Sequence, residues 1–119
     1  MSTHDDEVRS RLQALHDAAT RRTAGLAGGF EAIVEASSDI AVDDEHDPEG
    51  HTIAWERQLV GALLDDARTS LDEITEALQR LDEGTYGRCT MCGQDISPER
   101  LDAMPAAPAC ISCAVRSHQ

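Results

Sequence analysis

Lysine is absent from this chain of 119 residues, and aromatic side chains make up only 3% of it. The ten basic residues are therefore all arginines, against 23 acidic residues, and the formal net charge is −13. Direct binding of DNA, RNA or an anionic membrane needs a basic surface, so the charge argues against these targets. One Trp, one Tyr and one Phe are few for a globular core, which predicts that much of the apolar contact lies in helical seams.

Long apolar runs are lacking as well. No segment approaches the roughly 18 consecutive apolar residues of a membrane span, and the first residues, MSTHDDEVRS, are polar and acidic. The sequence predicts neither a transmembrane helix nor a signal peptide. We expect a cytoplasmic protein, in which paired cysteines serve as metal ligands or redox groups before disulfides.

A coiled-coil pattern is present between residues 60 and 81. Apolar residues recur there at alternating steps of four and three, which is the period of a coiled-coil seam. Gly84 follows at a position suited to the left-handed residue that ends a helix. The pattern predicts one helix from about Pro48 to Glu83, about 50 Å long. The seam positions are Val60, Leu64, Ala67, Leu71, Ile74, Leu78 and Leu81.

The first third of the chain carries a weaker pattern of the same kind. Arg22 and Gly29 interrupt the seam, and three glycines lie between Gly25 and Gly29. Each glycine inside a helix costs about 1 kcal/mol relative to alanine, so we expect a bend or local fraying there. We interpret these glycines as points of close approach to the partner helix, with a hinge as the alternative. The seam positions are Val8, Leu12, Leu15, Ala19, Arg22, Leu26, Gly29 and Ile33.

The two predicted helices have similar lengths and are joined by a polar turn at about residues 37–50. This arrangement predicts a mainly α fold in which residues 1–83 form an antiparallel coiled-coil hairpin. Parallel dimerisation of the second helix is the competing use of its seam, but pairing within one chain avoids the entropy of association. We therefore expect a monomer. Trp55, close to the turn, is expected to pack across the hairpin or, alternatively, to contact a partner.

The turn itself is strongly acidic. Asp47 before Pro48 is typical of a helix N-cap followed by proline at the first helical position. Asp43, Asp44 and Glu45 have no such local role. They form either a solvated turn or a surface that is matched by a cationic or metal-containing partner.

All four cysteines lie in one segment at the end of the chain, CTMCGQDISPERLDAMPAAPACISC. Two C-x-x-C pairs at this separation predict a structural zinc ion bound by Cys89, Cys92, Cys110 and Cys113. Gly93 suits the turn that follows a zinc knuckle. Between the pairs, Ser97 as cap and Pro98 as first residue predict a short helix. Residues 84–119 are thus expected to form a small zinc finger.

The chemistry of this finger argues against an enzyme. Four thiolate ligands leave no open coordination position, and the chain shows neither a nucleophile–base pair nor a phosphate-binding loop. A thioredoxin-like redox role needs a β/α fold, for which there are no predicted strands. Residues 84–119 hold three arginines and three carboxylates, so no basic face is available for DNA.

The segment LDEGTYGRCTMCGQDISPERLDAMPAAPACISCA, residues 81–114, resembles the DksA/TraR C4-type zinc-finger family. The shared pattern is G-x-Y-G-x-C-x-x-C-G, then I-x-x-x-R-L-x-A-x-P, then C-x-x-C. The resemblance implies a transcription regulator that binds RNA polymerase and not promoter DNA, with its coiled coil in the secondary channel of the enzyme and acidic tip residues near the catalytic Mg²⁺.

The resemblance also suggests which residues form the tip. The family pattern D-x-x-D-x-A is matched by Asp44 and Asp47, and Glu49 stands in place of its alanine. Asp43 and Glu45 are the secondary candidates. The basic residues that some members use to bind ppGpp near the finger have no lysine counterparts here, so we do not expect a response to ppGpp. The rival hypotheses are a redox-responsive zinc adaptor and a coiled-coil interaction module.

Overall fold

The computed structural model describes residues 3–38 and 48–117, apart from the side chains of residues 37, 38 and 48–51. Two long helices account for most of this chain: α1, Thr3–Ser38, and α2, Pro48–Glu83. Two short helices follow, α3 over Pro98–Ala103 and α4 over Ile111–Ser117. Within the described ranges, the one strand-like feature is an isolated antiparallel bridge between Arg88 and Asp95. The mainly helical fold predicted by the sequence is confirmed.

The described residues divide into two compact units. One contains residues 3–18 and 71–117, and the other contains residues 19–38 and 48–70. In the first unit, Val8 and Leu12 of α1 pack with Ala77 and Leu81 of α2. In the second unit, α1 contacts α2 where Phe30 lies beside Gly61. Within the first unit the beginning of α1 therefore lies beside the end of α2, as in an antiparallel pair, and Arg9 forms an ion pair with Asp82 there at 2.7 Å.

The seam predicted on α2 is confirmed, and its helix has the predicted bounds. All seven seam positions are buried or half-buried. Ala77, which the heptad pattern did not include, is fully buried between the helices. Gly84 ends the helix with φ +80°, and the amide of Thr85 donates to the carbonyl oxygen of Arg80 at 2.8 Å. This is the left-handed helix end that was predicted.

The seam predicted on α1 is only partly correct. Val8 and Leu12 are buried, but the side chain of Leu15 is 41% exposed. The covered stripe continues instead through the half-buried His16 and Ala19. The covered residues of α1 are thus separated by four, four and three positions. The strict alternation of four and three that was expected from the sequence fails at Leu15, which is not covered.

The glycines of α1 also differ from the prediction. The helix continues through Gly25, Gly28 and Gly29 without fraying. A Cβ atom added at any of these three positions would meet nothing within 4 Å, so the interpretation as points of close approach is wrong. Close approach occurs instead at Gly61 of α2, where an added Cβ would lie 3.4 Å from Cε2 of Phe30.

Candidate zinc centre

The first C-x-x-C pair forms a tight knuckle between Arg88 and Asp95, which are joined by an isolated antiparallel bridge. The amide of Cys89 donates to the carbonyl oxygen of Gln94 at 2.8 Å, and the amide of Gly93 donates to that of Cys89 at 3.0 Å. Gly93 has φ +77°, as the sequence predicted. The amide of Met91 lies 3.4 Å from Cys89 Sγ and donates to it. The knuckle thus aims backbone N–H groups at the sulfur, which is how a thiolate is stabilised.

The second pair is built on the start of α4. Cys110 immediately precedes this helix, and Cys113 lies within its first turn. The amide of Ala114 donates to the carbonyl oxygen of Cys110 at 2.9 Å. Because residues three apart share a face of a helical turn, the two sulfurs point the same way.

The four sulfur atoms come together at one point. Sγ atoms of Cys89, Cys92, Cys110 and Cys113 all lie within 4.8 Å of one another, and those of Cys92 and Cys110 are 3.9 Å apart. Zinc–sulfur bonds near 2.3 Å in a tetrahedron require sulfurs about 3.8 Å apart. The cluster therefore has the donor type, number and spacing of a closed four-thiolate zinc site, arranged to bind one metal ion.

The electrostatics of the cluster indicate that it needs a cation. Hydrogen bonds from the amides of Cys110 and Cys92 lower the pKa of the Cys89 thiol to about 6, and the amide of Cys113 lowers that of Cys110. The hydrogen bond from Arg116 acts to lower the pKa of Cys113, but the neighbouring thiols and burial outweigh it and raise this pKa to about 11. Four adjacent sulfurs cannot all hold negative charge by themselves. A divalent cation removes that conflict.

The segment between the knuckles holds the two pairs in place. Ser97 caps α3 by accepting a hydrogen bond from the amide of Arg100 at 3.2 Å, as predicted. Nε of Arg100 donates to the carbonyl oxygen of Ala109, just before the second pair, at 2.9 Å. Ile96 and Ala109 are buried against the ligand cysteines Cys89 and Cys113. The finger therefore combines a small apolar cluster with directional bonds to its own backbone.

Side-chain hydrogen bonds also tie the finger to the long helices in the first unit. The hydroxyl of Tyr86, beyond the end of α2, donates to the carbonyl oxygen of Pro105 at 2.7 Å. A guanidinium nitrogen of Arg11 on α1 donates to the carbonyl oxygen of Asp102 at 2.9 Å. Tyr86 also packs against the cluster of apolar residues formed by α1 and α2. The zinc segment is therefore anchored to α1 and to the end of α2.

Two groups of sequence candidates have different outcomes. Asp43, Asp44, Glu45 and Asp47 lie outside the described residues, so their role at a tip stays a prediction. Trp55 is 65% exposed, so the expected packing across the hairpin is wrong and the alternative, a contact residue, is open.

Within residues 3–38 and 48–117, no helix combines the length and the apolar character that a membrane span requires.

Sequence analysis also missed residues around the cysteines. Arg116, which donates to Cys113 Sγ, Arg100 and Tyr86 were given no individual role. For Arg116 the available signal was its distance of three residues from a predicted ligand. Tyr86 and Arg100 could have been singled out only as fixed letters of the zinc-finger motif. The carbonyl oxygens that accept their hydrogen bonds lie 19 and nine residues away, so these bonds do not follow from local spacing.

Comparison with known proteins places these features in a family. Residues 84–118 match the prokaryotic dksA/traR C4-type zinc finger. The fold resembles transcription factor DksA2 from Pseudomonas aeruginosa with a TM-score of 0.73 and 27% sequence identity, covering 96% of this chain and 82% of that one. Residues 84–118 form a zinc finger of the DksA/TraR family. The zinc predicted from the cysteine spacing is accordingly the metal of this site.

Relatives in sequence match part of the chain. General stress protein 16O of Bacillus subtilis is 35% identical over 77 residues, which are 65% of this chain and 45% of that protein. The RNA polymerase-binding transcription factor DksA of Haemophilus influenzae is 39% identical over 49 residues, 41% of this chain and 34% of that protein. The matched segments thus span less than half the length of these relatives.

Proposed function

We propose that this protein regulates transcription by binding RNA polymerase through the secondary channel of the enzyme, without catalysis of its own and without contacting promoter DNA. The observation that carries the proposal is the combination of a dksA/traR-type finger with a pair of long antiparallel helices. It is supported by the similarity in fold to DksA2 over 96% of the chain and by relatives named RNA polymerase-binding transcription factors.

The charge of the chain is consistent with such a partner. A net charge of −13 without any lysine repels nucleic acid and favours a partner with a basic surface, for which complementary fields speed association. We propose Asp44 and Asp47 as the working acidic residues, with Asp43 and Glu45 beside them. These carboxylates would act where a metal ion and basic side chains are present, and not as a free-standing active site.

Binding to purified core RNA polymerase and transcription from a ribosomal promoter test this function. An Asp44→Asn/Asp47→Asn variant is expected to bind the polymerase but to lose most of its effect on transcription. The matched control is Asp65→Asn/Asp66→Asn, which removes the same charge from exposed positions of α2 and should act like the wild type. Equal effects of the tip variant and the wild type would refute the tip mechanism, and absence of polymerase binding would refute the function.

A second candidate function is a coiled-coil interaction module, and one observation favours it. Trp55, Leu59 and Leu63 of α2 are 65%, 47% and 37% exposed, and their spacing of four places them along one side of the helix. Self-association through this side would give a sedimentation mass above the 12.9 kDa of one chain. Leu59→Gln should weaken the association and bring the mass back toward that of a monomer. A monomeric mass at all concentrations would exclude it and agree with the monomer predicted from the sequence.

A further inference from the structure

One cation lies directly against the cysteine cluster. Nη2 of Arg116 is 3.2 Å from Sγ of Cys113 and donates a hydrogen bond to it. Both residues belong to α4, and their spacing of three places them on one face of the helix. Cys113 is only 2% exposed, so the guanidinium contacts a sulfur that water hardly reaches.

The hydrogen bonds to the sulfurs of Cys89 and Cys110 differ in kind from that of Arg116 to Cys113. Cys89 Sγ accepts from backbone amides, among them those of Cys110 and Met91, and Cys110 Sγ accepts from the amide of Cys113. The knuckle backbone supplies these neutral donors whatever the neighbouring side chains are. Arg116 instead brings a full positive charge in a rigid, planar group that stays protonated in proteins.

We propose that Arg116 is a positioning residue of the zinc centre, which holds Cys113 Sγ in place and slows loss of the metal. Four thiolates around one Zn²⁺ carry two excess negative charges, and a guanidinium at one sulfur offsets part of them. Outer hydrogen-bonding partners orient metal ligands, and their loss typically lowers metal affinity by about 10- to 100-fold. Because Arg116 is exposed, solvent screens its charge, and the effect belongs at the lower end of that range.

A simpler explanation predicts different behaviour. Arg116 lies in the last turn of α4, where any cation interacts favourably with the helix dipole. In that case lysine would replace arginine fully, and the sulfur–metal bond would not respond to the substitution. If Arg116 acts on the sulfur, the charge and the planar donor geometry both matter, and the metal itself reports their removal.

The experiment uses the full-length, zinc-loaded protein and an excess of a chromogenic chelator. Zinc transfer is expected to be about tenfold faster from Arg116→Gln than from the wild type, with Arg116→Lys between them. Arg88→Gln is the matched control, because it removes the same charge from another exposed arginine of the finger, next in sequence to a ligand, and it should leave the rate unchanged.

A spectroscopic measurement separates the two explanations. In the cobalt-substituted protein, Arg116→Gln is expected to shift the sulfur-to-metal charge-transfer band to lower energy, because Cys113 loses a charged donor; Arg88→Gln should not shift it. The proposal is overturned if Arg116→Gln releases zinc no faster than Arg88→Gln, or if Arg116→Lys restores both the wild-type rate and the wild-type band. These outcomes are independent of whether the protein binds RNA polymerase.

Discussion

The two compact units of the chain differ in what holds them together. The unit of residues 3–18 and 71–117 contains two clusters of buried apolar side chains and the hydrogen bonds from Arg11, Tyr86 and Arg100 to distant backbone carbonyls. In the unit of residues 19–38 and 48–70, the buried apolar side chains among the described residues are Leu64 and Ala67.

This difference indicates where the fold is specified. Resistance to local opening follows the density of buried contacts, so the unit with the finger is expected to be the more stable one. The other unit depends on a narrow seam and on the helix propensity of mostly exposed residues. Substitutions at the exposed positions of this unit should therefore cost little stability. This leaves the parts of α1 and α2 next to the proposed working residues free to vary with the partner.

Removal of zinc is expected to have the largest effect and tests the comparison directly. Apparent binding free energies of structural zinc are about 10–16 kcal/mol in small zinc-finger peptides. Chelation, or a Cys113→Ser substitution, should therefore abolish hydrogen-exchange protection in residues 84–117. Amides in residues 19–36 and 52–70 should keep the modest protection that they have, because their contacts do not include the finger.

The control for this experiment is Met91→Ser, at a position within the first knuckle that is 60% exposed. This variant should retain one zinc ion and the protection of the finger. Simultaneous loss of protection throughout the chain on chelation would contradict the distinction between the units. Unchanged protection in the finger would contradict a structural role for the metal.

The next effect in size concerns the contact between α1 and α2 beside the finger. Leu12 is fully buried against Ala77 and Leu81, whereas Leu15 on the same helix is 41% exposed. Replacing a buried leucine by alanine typically costs about 2–5 kcal/mol, so Leu12→Ala should lower the free energy of unfolding by that amount. Leu15→Ala should cost less than about 1 kcal/mol. Urea unfolding of the zinc-loaded proteins measures both, and similar costs for the two would show that the covered stripe follows the heptad pattern after all.

Local patterns predicted most of this fold. The bounds of α2, the residues of its seam, the left-handed Gly84 and the cap at Ser97 all follow from spacing within a few turns. Leu15 was assigned wrongly, because which face of α1 is covered depends on the partner helix and not on the period alone. Gly61 was missed for the same reason, since only the position of Phe30 on the other helix makes it a close contact.

The zinc site was predicted more fully than its surroundings. The spacing of four cysteines is sufficient to indicate the cluster, because few other arrangements use two C-x-x-C pairs in this way. The supports are less accessible to sequence analysis: Tyr86 and Arg100 bond carbonyl oxygens far along the chain. Arg116 requires the helix α4, which no cap or period in the sequence had indicated.

Tyr86 is expected to contribute a smaller, pH-dependent effect. Its hydroxyl donates to the carbonyl of Pro105, and a hydrogen bond of this kind contributes about 0.5–1.5 kcal/mol, which Tyr86→Phe should remove at neutral pH. Burial raises the pKa of Tyr86, while Arg11 and Arg80 oppose the shift. The folded state thus favours the neutral phenol. This stabilisation is complete below the unfolded pKa, about 10, and is lost as pH rises through the folded pKa.

The composition of the chain makes that pH dependence measurable. The protein has one tyrosine, so absorbance of the ionised phenol reports Tyr86 alone, and it has no lysine whose titration would change the stability in the same pH range. Above pH 10, the stability of the zinc-loaded wild type should fall toward that of Tyr86→Phe, whose own profile should be flatter. A phenol that titrates at its ordinary pKa, with parallel stability profiles for the two proteins, would show that Tyr86 does not hold the finger to the helices.

The smallest expected effect comes from Gly28, in the less densely packed unit, and Gly84 in the other unit provides the contrast. An alanine at Gly28 would meet open space on a continuous helix, so Gly28→Ala should stabilise the protein by about 0.5–1 kcal/mol through helix propensity. At Gly84 space is also open, but φ is +80°, and Gly84→Ala should destabilise by about 1 kcal/mol or more because a Cβ is strained there. Thermal unfolding of both variants measures the contrast. A loss of stability in Gly28→Ala would show that the glycines of α1 serve a contact or a motion that helix propensity does not describe. The packing of this unit would then depend on particular residues more than its few buried side chains indicate.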